Sequence, residues 1–388
     1  MTMINEERLV HEFIHLVSFD SESYGEVAIA GYLKQQLIEL GLRVEKDDAG
    51  KQMRRSFNDF SENSQTEKCA GNIYGFLPAY DPDGIYSEGI LLSAHMDTVS
   101  PGIGKQAIVQ RDGRITSDGT TVLGADDGAG LAEILETLRV LQERQLPHPD
   151  IEVLFTVAEE PYAQGSRIFD YSKIRAKMAY VLDMSGAVGR AAVAAPSILS
   201  LRIHVTGKSA HAGFCPETGI HAIQIAAKSI SRIECGHIDG ETTVNLGTIQ
   251  GGTARNIVPD SCEITGEIRS LNHEKALQQA EWIRSIFEEE SEQTGGIAKI
   301  EVQEEFRGYL IEEQEPVVTR FQQACRDLGL SGGLEKTFGG SDNNHFTSHG
   351  IRGIVVANAM NEVHTTKEYT TKEELVRAAE LTLKLITI

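Results

Sequence analysis

Three short hydrophobic stretches of this sequence each end in histidine or in acidic residues. The stretches are Ile90–Ala94, Ile151–Val157 and Ala179–Leu182, and the residues that follow them are His95 and Asp97, Glu159 and Glu160, and Asp183. Nearly continuous apolar runs of this length are typical of buried strands in a largely parallel sheet. Because ligands bind at the carboxyl ends of the strands in such sheets, we expect these polar side chains to meet at one sheet edge.

The order of the predicted elements indicates two domains. Residues 1–194 and 304–388 alternate strand and helix patterns, which predicts an α/β domain with a mostly parallel sheet flanked by helices. The intervening residues 195–303 follow the order β-α-β-β-α-β, which is typical of a ferredoxin-like α+β unit. We therefore expect a discontinuous α/β domain with a small inserted domain. The polar stretch 54–68 is predicted to be a surface loop.

Composition excludes several classes of function. The chain of 388 residues has 36 Lys and Arg against 57 Asp and Glu, a formal net charge of −21. This acidic excess argues against binding to nucleic acid or to anionic membranes, which require basic patches. No apolar run approaches the roughly 18 residues of a membrane span, and the charged N-terminal stretch predicts an amphipathic helix rather than a signal peptide. Its predicted apolar face consists of Leu9, Val10, Phe13, Ile14 and Val17.

The cysteine pattern indicates a reducing compartment. The five cysteines are odd in number and scattered, with no C-x-x-C pair. A disulfide framework is therefore not expected, and the predicted location is the cytoplasm, where thiols stay reduced.

Two adjacent aspartates, Asp126 and Asp127, lie in a glycine-rich loop before the predicted helix Ala129–Gln142. Such a loop can bind phosphate, but this one lacks Gly-Lys-Ser/Thr and its two carboxylates would repel a phosphate. An aspartate before a helix is commonly an N-cap. One aspartate could therefore cap the helix while the other binds a metal ion, and the pair alone does not decide between these roles.

These segments, together with His364 shortly before the last predicted helix, form a candidate metal site. A solvated strand end is the alternative for each segment taken alone, but neighbouring buried carboxylates are costly unless they bind cations or share a proton. Histidine and carboxylate ligands without thiolates favour Zn²⁺, Mn²⁺ or Co²⁺. Five such ligands are too many for one tetrahedral ion with an open position and suit two ions that share a carboxylate.

The motifs that carry these residues resemble the metal-ligand series of the M20 metallopeptidases, and most closely the peptidase T (tripeptide aminopeptidase) branch. They are Ser-Ala-His95-Met-Asp97, Gly-Ala-Asp126-Asp127-Gly, Ala-Glu159-Glu160, Leu-Asp183 and Glu-Val-His364. The resemblance spans nearly the whole chain. It implies a zinc-exopeptidase-like fold with an inserted lid domain, and a homodimer formed through that domain.

The resemblance also implies which residues would hold two divalent ions, with zinc first and cobalt or manganese as alternatives. One ion would be held by His95, Asp126 and Asp183, and the other by Asp126, Glu160 and His364. Asp126 would therefore bridge the pair. His345 and His349 are not part of the series and are predicted to be surface residues.

The remaining roles implied by the resemblance concern catalysis and the substrate. Glu159 would be the general base and Asp97 would orient His95. His211, in the motif Ser209–Gly213, would stabilise the oxyanion, in some members across a dimer. The expected substrate contacts are Asn256, Arg269 and Ser341.

The expected reaction is hydrolysis of the N-terminal peptide bond of a short peptide. A carboxypeptidase, an aminoacylase or an N-acyl amino acid deacylase of the same family would use the same ligands and is the alternative. A non-catalytic metal-binding scaffold would be indicated by missing ligands or a missing base, and neither is missing here.

Overall fold

The computed structural model describes residues 2–53, 69–86 and 88–388, so the predicted loop 54–68 lies outside the described residues. The chain divides into two compact units. Unit 1 comprises Met1–Ala194, Leu310–Thr337 and Ser341–Ile388, and unit 2 comprises Ala195–Tyr309 and Phe338–Gly340. The assignment of 195–303 as a separate domain stays a prediction.

The described residues up to Ala195 form helices α1 to α5 and strands β1 to β8. They are α1 (Glu6–Val17), α2 (Val27–Glu39), β1 (Arg43–Lys46), α3 (Ala49–Gln52), β2 (Ile73–Leu77), β3 (Ile90–His95), β4 (Ile108–Val109), β5 (Arg114–Thr116), α4 (Ala125–Arg144), β6 (Ile151–Thr156), α5 (Gln164–Arg167), β7 (Met178–Met184) and β8 (Arg190–Ala195).

The rest of the chain forms the elements of unit 2 and then returns to unit 1. The elements of unit 2 are β9 (Ser197–Thr206), α6 (Ala222–Ile230), β10 (Gly236–His237), β11 (Thr242–Gly251), β12 (Ser261–Ser270), α7 (His273–Thr294) and β13 (Ile297–Phe306). They are followed by β14 (Tyr309–Leu310), α8 (Pro316–Leu328), β15 (Gly333–Lys336), α9 (Asp342–Ser348), β16 (Arg352–Ala357), β17 (Tyr369–Thr371) and α10 (Lys372–Thr387).

The first helix forms where the apolar spacing predicts it. The Asn5 side chain accepts a hydrogen bond from the N–H of Arg8 and so caps the N-terminus of α1. Leu9, Phe13 and Leu16 are buried, whereas Ile14, predicted on the same face, is only half-buried. The buried stripe is therefore rotated slightly from the predicted one.

A nine-stranded sheet forms the centre of unit 1 and confirms the predicted α/β fold class. Its order is β1-β2-β6-β3-β7-β16-β8-β14, with β15 pairing with β8. Strands β6, β3, β7 and β16 pair in parallel, whereas β1, β2 and β8 add antiparallel pairs towards the edges. His95 pairs in register with Thr156, so β3 and β6 end at the same level. The polar residues that follow both strands therefore emerge at one edge.

Unit 2 is built on a five-stranded antiparallel sheet in the order β10-β11-β12-β9-β13. Helices α6 and α7 pack on this sheet, and Leu201, Ile225 and Phe287 lie in the core between them. The order of elements is the predicted β-α-β-β-α-β, with the short strand β10 added before β11.

No helix within residues 2–53, 69–86 and 88–388 is both long and apolar enough to cross a membrane. All five cysteines are free thiols, of which Cys262 and Cys325 are buried.

Candidate metal centre

The structure brings the five predicted ligand residues together at the carboxyl edge of the large sheet. Each comes from a different segment: the end of β3, the first turn of α4, the loop after β6, the end of β7 and the loop between β16 and β17. In that order the residues are His95, Asp126, Glu160, Asp183 and His364.

Asp126 lies between the two histidines. Its Oδ1 atom is 2.9 Å from Nε2 of His95, and its Oδ2 atom is 3.1 Å from Nε2 of His364. Asp183 Oδ1 is 3.8 Å from the same nitrogen of His95, and Glu160 Oε2 is 3.0 Å from that of His364. The Asp126 carboxylate therefore belongs to both sets of neighbours, one around each histidine.

Two overlapping triplets in this cluster have the spacing of a metal site. His95, Asp126 and Glu160 offer ligand atoms within 4.8 Å of one another, and so do His95, Glu159 and Asp183. Glu160 Oε1 is buried and has no hydrogen-bond partner among the described residues. Because a buried oxygen without a partner is costly, a cation is a fitting partner for this atom.

Burial and like charge shape the pKa values in the cluster. Burial raises the pKa of Asp183 well above its usual range, and burial together with the charge of Asp183 does the same for Glu159. Burial alone would also raise the pKa of Asp126, but its contacts with His364 and His95 lower it. Hydrogen bonds of His364 with the carboxylates of Asp126 and Glu160 raise the pKa of His364 to about 10. The cluster thus contains more carboxyl groups than its two histidines can neutralise, and divalent cations would favour the ionised forms of these groups.

Asp97 holds the loop after β6 in place. Its Oδ1 accepts the N–H of Glu159 at 2.9 Å, and its Oδ2 accepts the N–H of Glu160 at 3.2 Å and the Ser23 hydroxyl at 2.7 Å. Towards His95 the nearest atom of Asp97 is the main-chain oxygen, 3.0 Å from Nδ1, while its carboxylate oxygen is 3.5 Å away. The Asp97 carboxylate therefore supports the loop of Glu159 and Glu160 more closely than it supports the His95 ring.

The two adjacent aspartates have different partners. Both have non-helical backbone angles, so the regular part of α4 begins after Asp127. Asp127 Oδ1 accepts the N–H of Gly130 at 3.1 Å, as an N-cap does, and a hydrogen from Asn358 at 2.7 Å. Its Oδ2 accepts the N–H of His95 at 3.2 Å. Asp127 thus fixes the helix start and the end of β3, and Asp126 is free to face the histidines.

Glu368 and Asp342 are also buried at this edge, and neither is among the residues predicted to bind metal or to act in catalysis. Glu368 accepts the N–H groups of Gly124 and Asp126 at 2.8 and 2.9 Å. Asp342 accepts the hydroxyls of Thr156 and Ser166, both at 2.5 Å. The sequence does show that Glu368 lies four residues after the predicted ligand His364. Its hydrogen-bond partners, however, lie more than 200 positions away, so no local pattern predicts them.

The prediction that His345 lies on the surface is wrong. Helix α9 packs against β16 and β7, and His345, on this helix, is buried. Burial lowers its pKa to about 3. His349 is exposed, and its ring stacks on that of Tyr171 with centroids 3.8 Å apart. Ser341, predicted to contact substrate, is the N-cap of α9 and accepts the N–H of Asn343.

The other predicted site residues, His211, Asn256 and Arg269, belong to unit 2. His211 is exposed, and its Nδ1 accepts the N–H groups of Gly213 and Phe214 at 3.2 Å. The main-chain oxygen of Asn256 accepts the N–H of Ala212 at 3.0 Å, so the segments that carry His211 and Asn256 are joined. Arg269 donates to Glu267 through Nε and Nη2 and to the main-chain oxygen of Phe338 through Nη1.

Comparison with known proteins identifies the family. The peptidase dimerisation domain of M20 type matches residues 193–295, and peptidase family M28 matches residues 72–220. A tripeptidase of Staphylococcus aureus subsp. aureus Mu50 is 37% identical and superposes with a TM-score of 0.91, over 99% of this chain and 98% of that one. The aminopeptidase PepT of Bacillus cereus ATCC 10987 is 41% identical with a TM-score of 0.88, over 99% of both chains. The chain belongs to the M20 peptidase family.

Within the M20 family the chain is peptidase T-like. Peptidase T of Serratia proteamaculans (strain 568) is 26% identical over 424 residues, which cover 98% of each protein. The predicted family and the predicted class of enzyme, a hydrolase of the aminopeptidase type, are confirmed. This M20 peptidase carries a cluster of residues able to bind metal at the edge of its large sheet.

Proposed function

We propose that this M20 peptidase uses two divalent metal ions to hydrolyse the N-terminal peptide bond of short peptides, tripeptides among them. The observation that carries the proposal is the position of Asp126, whose two carboxylate oxygens face the two histidines of the cluster. A single shared carboxylate between two ligand sets is the arrangement that two neighbouring ions require.

The residues present fit two such ions. His95, Asp126 and Asp183 would hold one, and Asp126, Glu160 and His364 the other, with zinc preferred and cobalt or manganese as alternatives. The free Glu160 Oε1 and the excess of buried acids support this assignment. When bound, the ions would polarise the scissile carbonyl and lower the pKa of the attacking water.

Glu159 is the proposed general base. It is buried beside Asp183, and its main chain is held by Asp97 at 2.9 Å, so its carboxylate is confined to the ligand cluster. The raised pKa brings this group closer to the range in which it can both accept and return a proton. Glu159 takes the proton of the attacking water and delivers it to the leaving amine.

Residues of unit 2 are proposed to contact the substrate. His211 would donate a hydrogen bond to the developing oxyanion, and Asn256 would lie beside it because their segments are joined. Arg269 would bind the peptide carboxylate through its guanidinium, exchanging its present contacts with Glu267. Ser341, a residue of unit 1, would contact the substrate in addition to capping α9.

The protein is proposed to form a homodimer through unit 2. The peptidase dimerisation domain covers most of this unit, and the short strand β10 covers Val244 and Thr243 on the outer edge of β11. Among the described residues, the rest of that edge has no neighbouring strand, and Ile249 on it is 52% exposed. An open strand edge is a ready site for pairing with another chain. Sedimentation of the wild type and of Ile249→Asp tests this, with a monomeric wild type as the contrary result.

A peptide panel tests the reaction. We expect hydrolysis of a tripeptide with a free amino group and none of its N-acetylated form, with release of the first residue. Hydrolysis of the acetylated peptide, or release of the last residue, would identify a different M20 amidohydrolase instead. Metal analysis of the same preparation should give two ions per chain.

A further inference from the structure

Glu368 connects the loop that carries His364 to the start of α4, which carries Asp126. These two segments are far apart in the sequence. It lies in the loop between β16 and β17, four residues after His364, and is 1% exposed. Its Oε2 accepts the N–H of Gly124 at 2.8 Å and its Oε1 accepts the N–H of Asp126 at 2.9 Å. Both oxygens of one carboxylate are therefore used on the main chain of the loop that carries Asp126.

The segment that carries Glu368 is closed on itself. The main chains of Asn361 and Tyr369 exchange two hydrogen bonds of 3.0 Å, and the N–H of Glu368 donates to the oxygen of Thr365 at 3.1 Å. Tyr369 also pairs with Thr116 of β5. His364 lies inside this closed loop, so its main chain and that of Glu368 are positioned together.

His364 itself has few other restraints. Its side chain is 52% exposed, and its backbone has a φ of 61°, in the left-handed region that side chains other than glycine rarely adopt. Its Nε2 faces Asp126 and Glu160. The distance between His364 and the Asp126 carboxylate therefore depends on how the loop 361–369 is attached to the start of α4, and Glu368 makes that attachment.

We propose that Glu368 is a positioning residue that sets the spacing of His364 and Asp126 for the ion that these two residues share with Glu160. The inference rests on the proposed two-ion function. Glu368 acts through main-chain amides rather than as a ligand, because both of its oxygens already accept N–H donors at normal hydrogen-bond distances.

The test is the variant Glu368→Gln, which keeps the size of the side chain but presents an NH₂ group to one of the two N–H donors. Stepwise zinc titration of the chelator-treated protein, followed by calorimetry, should show one ion bound as in the wild type and the other bound at least ~10-fold more weakly, as is typical when the residue that orients a ligand is lost. The kcat for a tripeptide should fall as this ion is bound more weakly, and a higher zinc concentration should restore much of the lost activity.

Glu152→Gln is the matched control. Glu152 is a buried glutamate that also accepts two main-chain N–H groups, those of Arg175 and Ala176, but it lies near the opposite end of β6 from the cluster. We expect this variant to lose thermal stability without a change in either zinc affinity. If Glu368→Gln behaves in the same way, Glu368 is an ordinary structural residue and the inference is wrong.

A conservative variant keeps the inference testable if Glu368→Gln does not fold. Glu368→Asp retains the charge but is one methylene shorter, so it can reach only one of the two N–H groups and should weaken the same ion by a smaller factor. Unchanged affinities in this variant would also contradict the inference. A wild-type protein that binds a single ion would instead contradict the two-ion function. The role of Glu368 would then be tested by whether Glu368→Gln weakens the binding of that single ion.

Discussion

The two histidines of the cluster, His95 and His364, are held in very different ways. His95 ends a central strand of the parallel part of the sheet and is 1% exposed, with its N–H bonded to Asp127. His364 lies in a loop, is 52% exposed and has a left-handed backbone conformation. One side of the centre is therefore fixed by the core, and the other by a few specific hydrogen bonds. The sheet therefore fixes the position of His95, whereas the position of His364 depends on its loop and is the more easily changed.

The largest expected effect concerns Glu159, on the fixed side. Glu159→Gln should reduce kcat for a tripeptide by roughly 10²–10⁴-fold, the usual contribution of a general base, with two metal ions still bound. Metal analysis and steady-state kinetics on one preparation check both parts. Full activity with two ions bound would show that another group takes the proton.

The two histidines should also differ when each is replaced by alanine in the metal-free protein. His95→Ala removes the buried one of the two histidine partners of Asp126 and should cost about 3–5 kcal/mol of unfolding free energy. His364→Ala should cost about 1 kcal/mol or less because the side chain is half exposed. Urea unfolding after chelator treatment measures the difference. Equal losses would remove the distinction between a fixed and an adaptable side.

Metal removal should affect the loop side more than the core side. Ions that bind only the folded protein stabilise it by about 2.7 kcal/mol at a hundred times their dissociation constant, so chelation should lower the Tm and zinc should restore it. Hydrogen exchange should rise most in the loop 358–368 on chelation and least in β3 and β6. The reverse order would mean that the strand ends, not the loop, depend on the ions.

The smallest effects should come from single hydroxyls that support each side. Ser23→Ala removes one of the bonds to the Asp97 carboxylate and should cost about 1 kcal/mol of stability and a few-fold in kcat. Thr365→Ala removes a 2.7 Å bond to the main-chain oxygen of Glu362 in an exposed turn and should change stability less. Thermal unfolding of the two variants measures both stability losses. A larger loss for Thr365→Ala than for Ser23→Ala would contradict the expected order.

Much of the fixed side could be predicted from the sequence, and much of the loop side could not. Strands that end in His95 or Asp183 are visible as apolar runs followed by a polar residue, and parallel pairing brings their ends level. The pairing of Glu368 with Gly124 and Asp126 depends on contacts between distant parts of the chain, which no local pattern encodes. The prediction for His345 is wrong for a related reason, because the burial of the polar segment 342–348 depends on the packing of α9 against β16 and β7.

The position of β16 has a consequence for how the protein is made. This strand (Arg352–Ala357) lies in the sheet between β7 and β8, both of which leave the ribosome long before it. His364 and Glu368 follow later still, so the candidate centre can be completed only after these residues have been translated. We expect nascent chains stalled before residue 364 to lack peptidase activity, which assays of ribosome-bound chains of increasing length would detect. A chain that stops before residue 364 would contain β3, β6 and β7 but would lack one of the proposed ligands, His364.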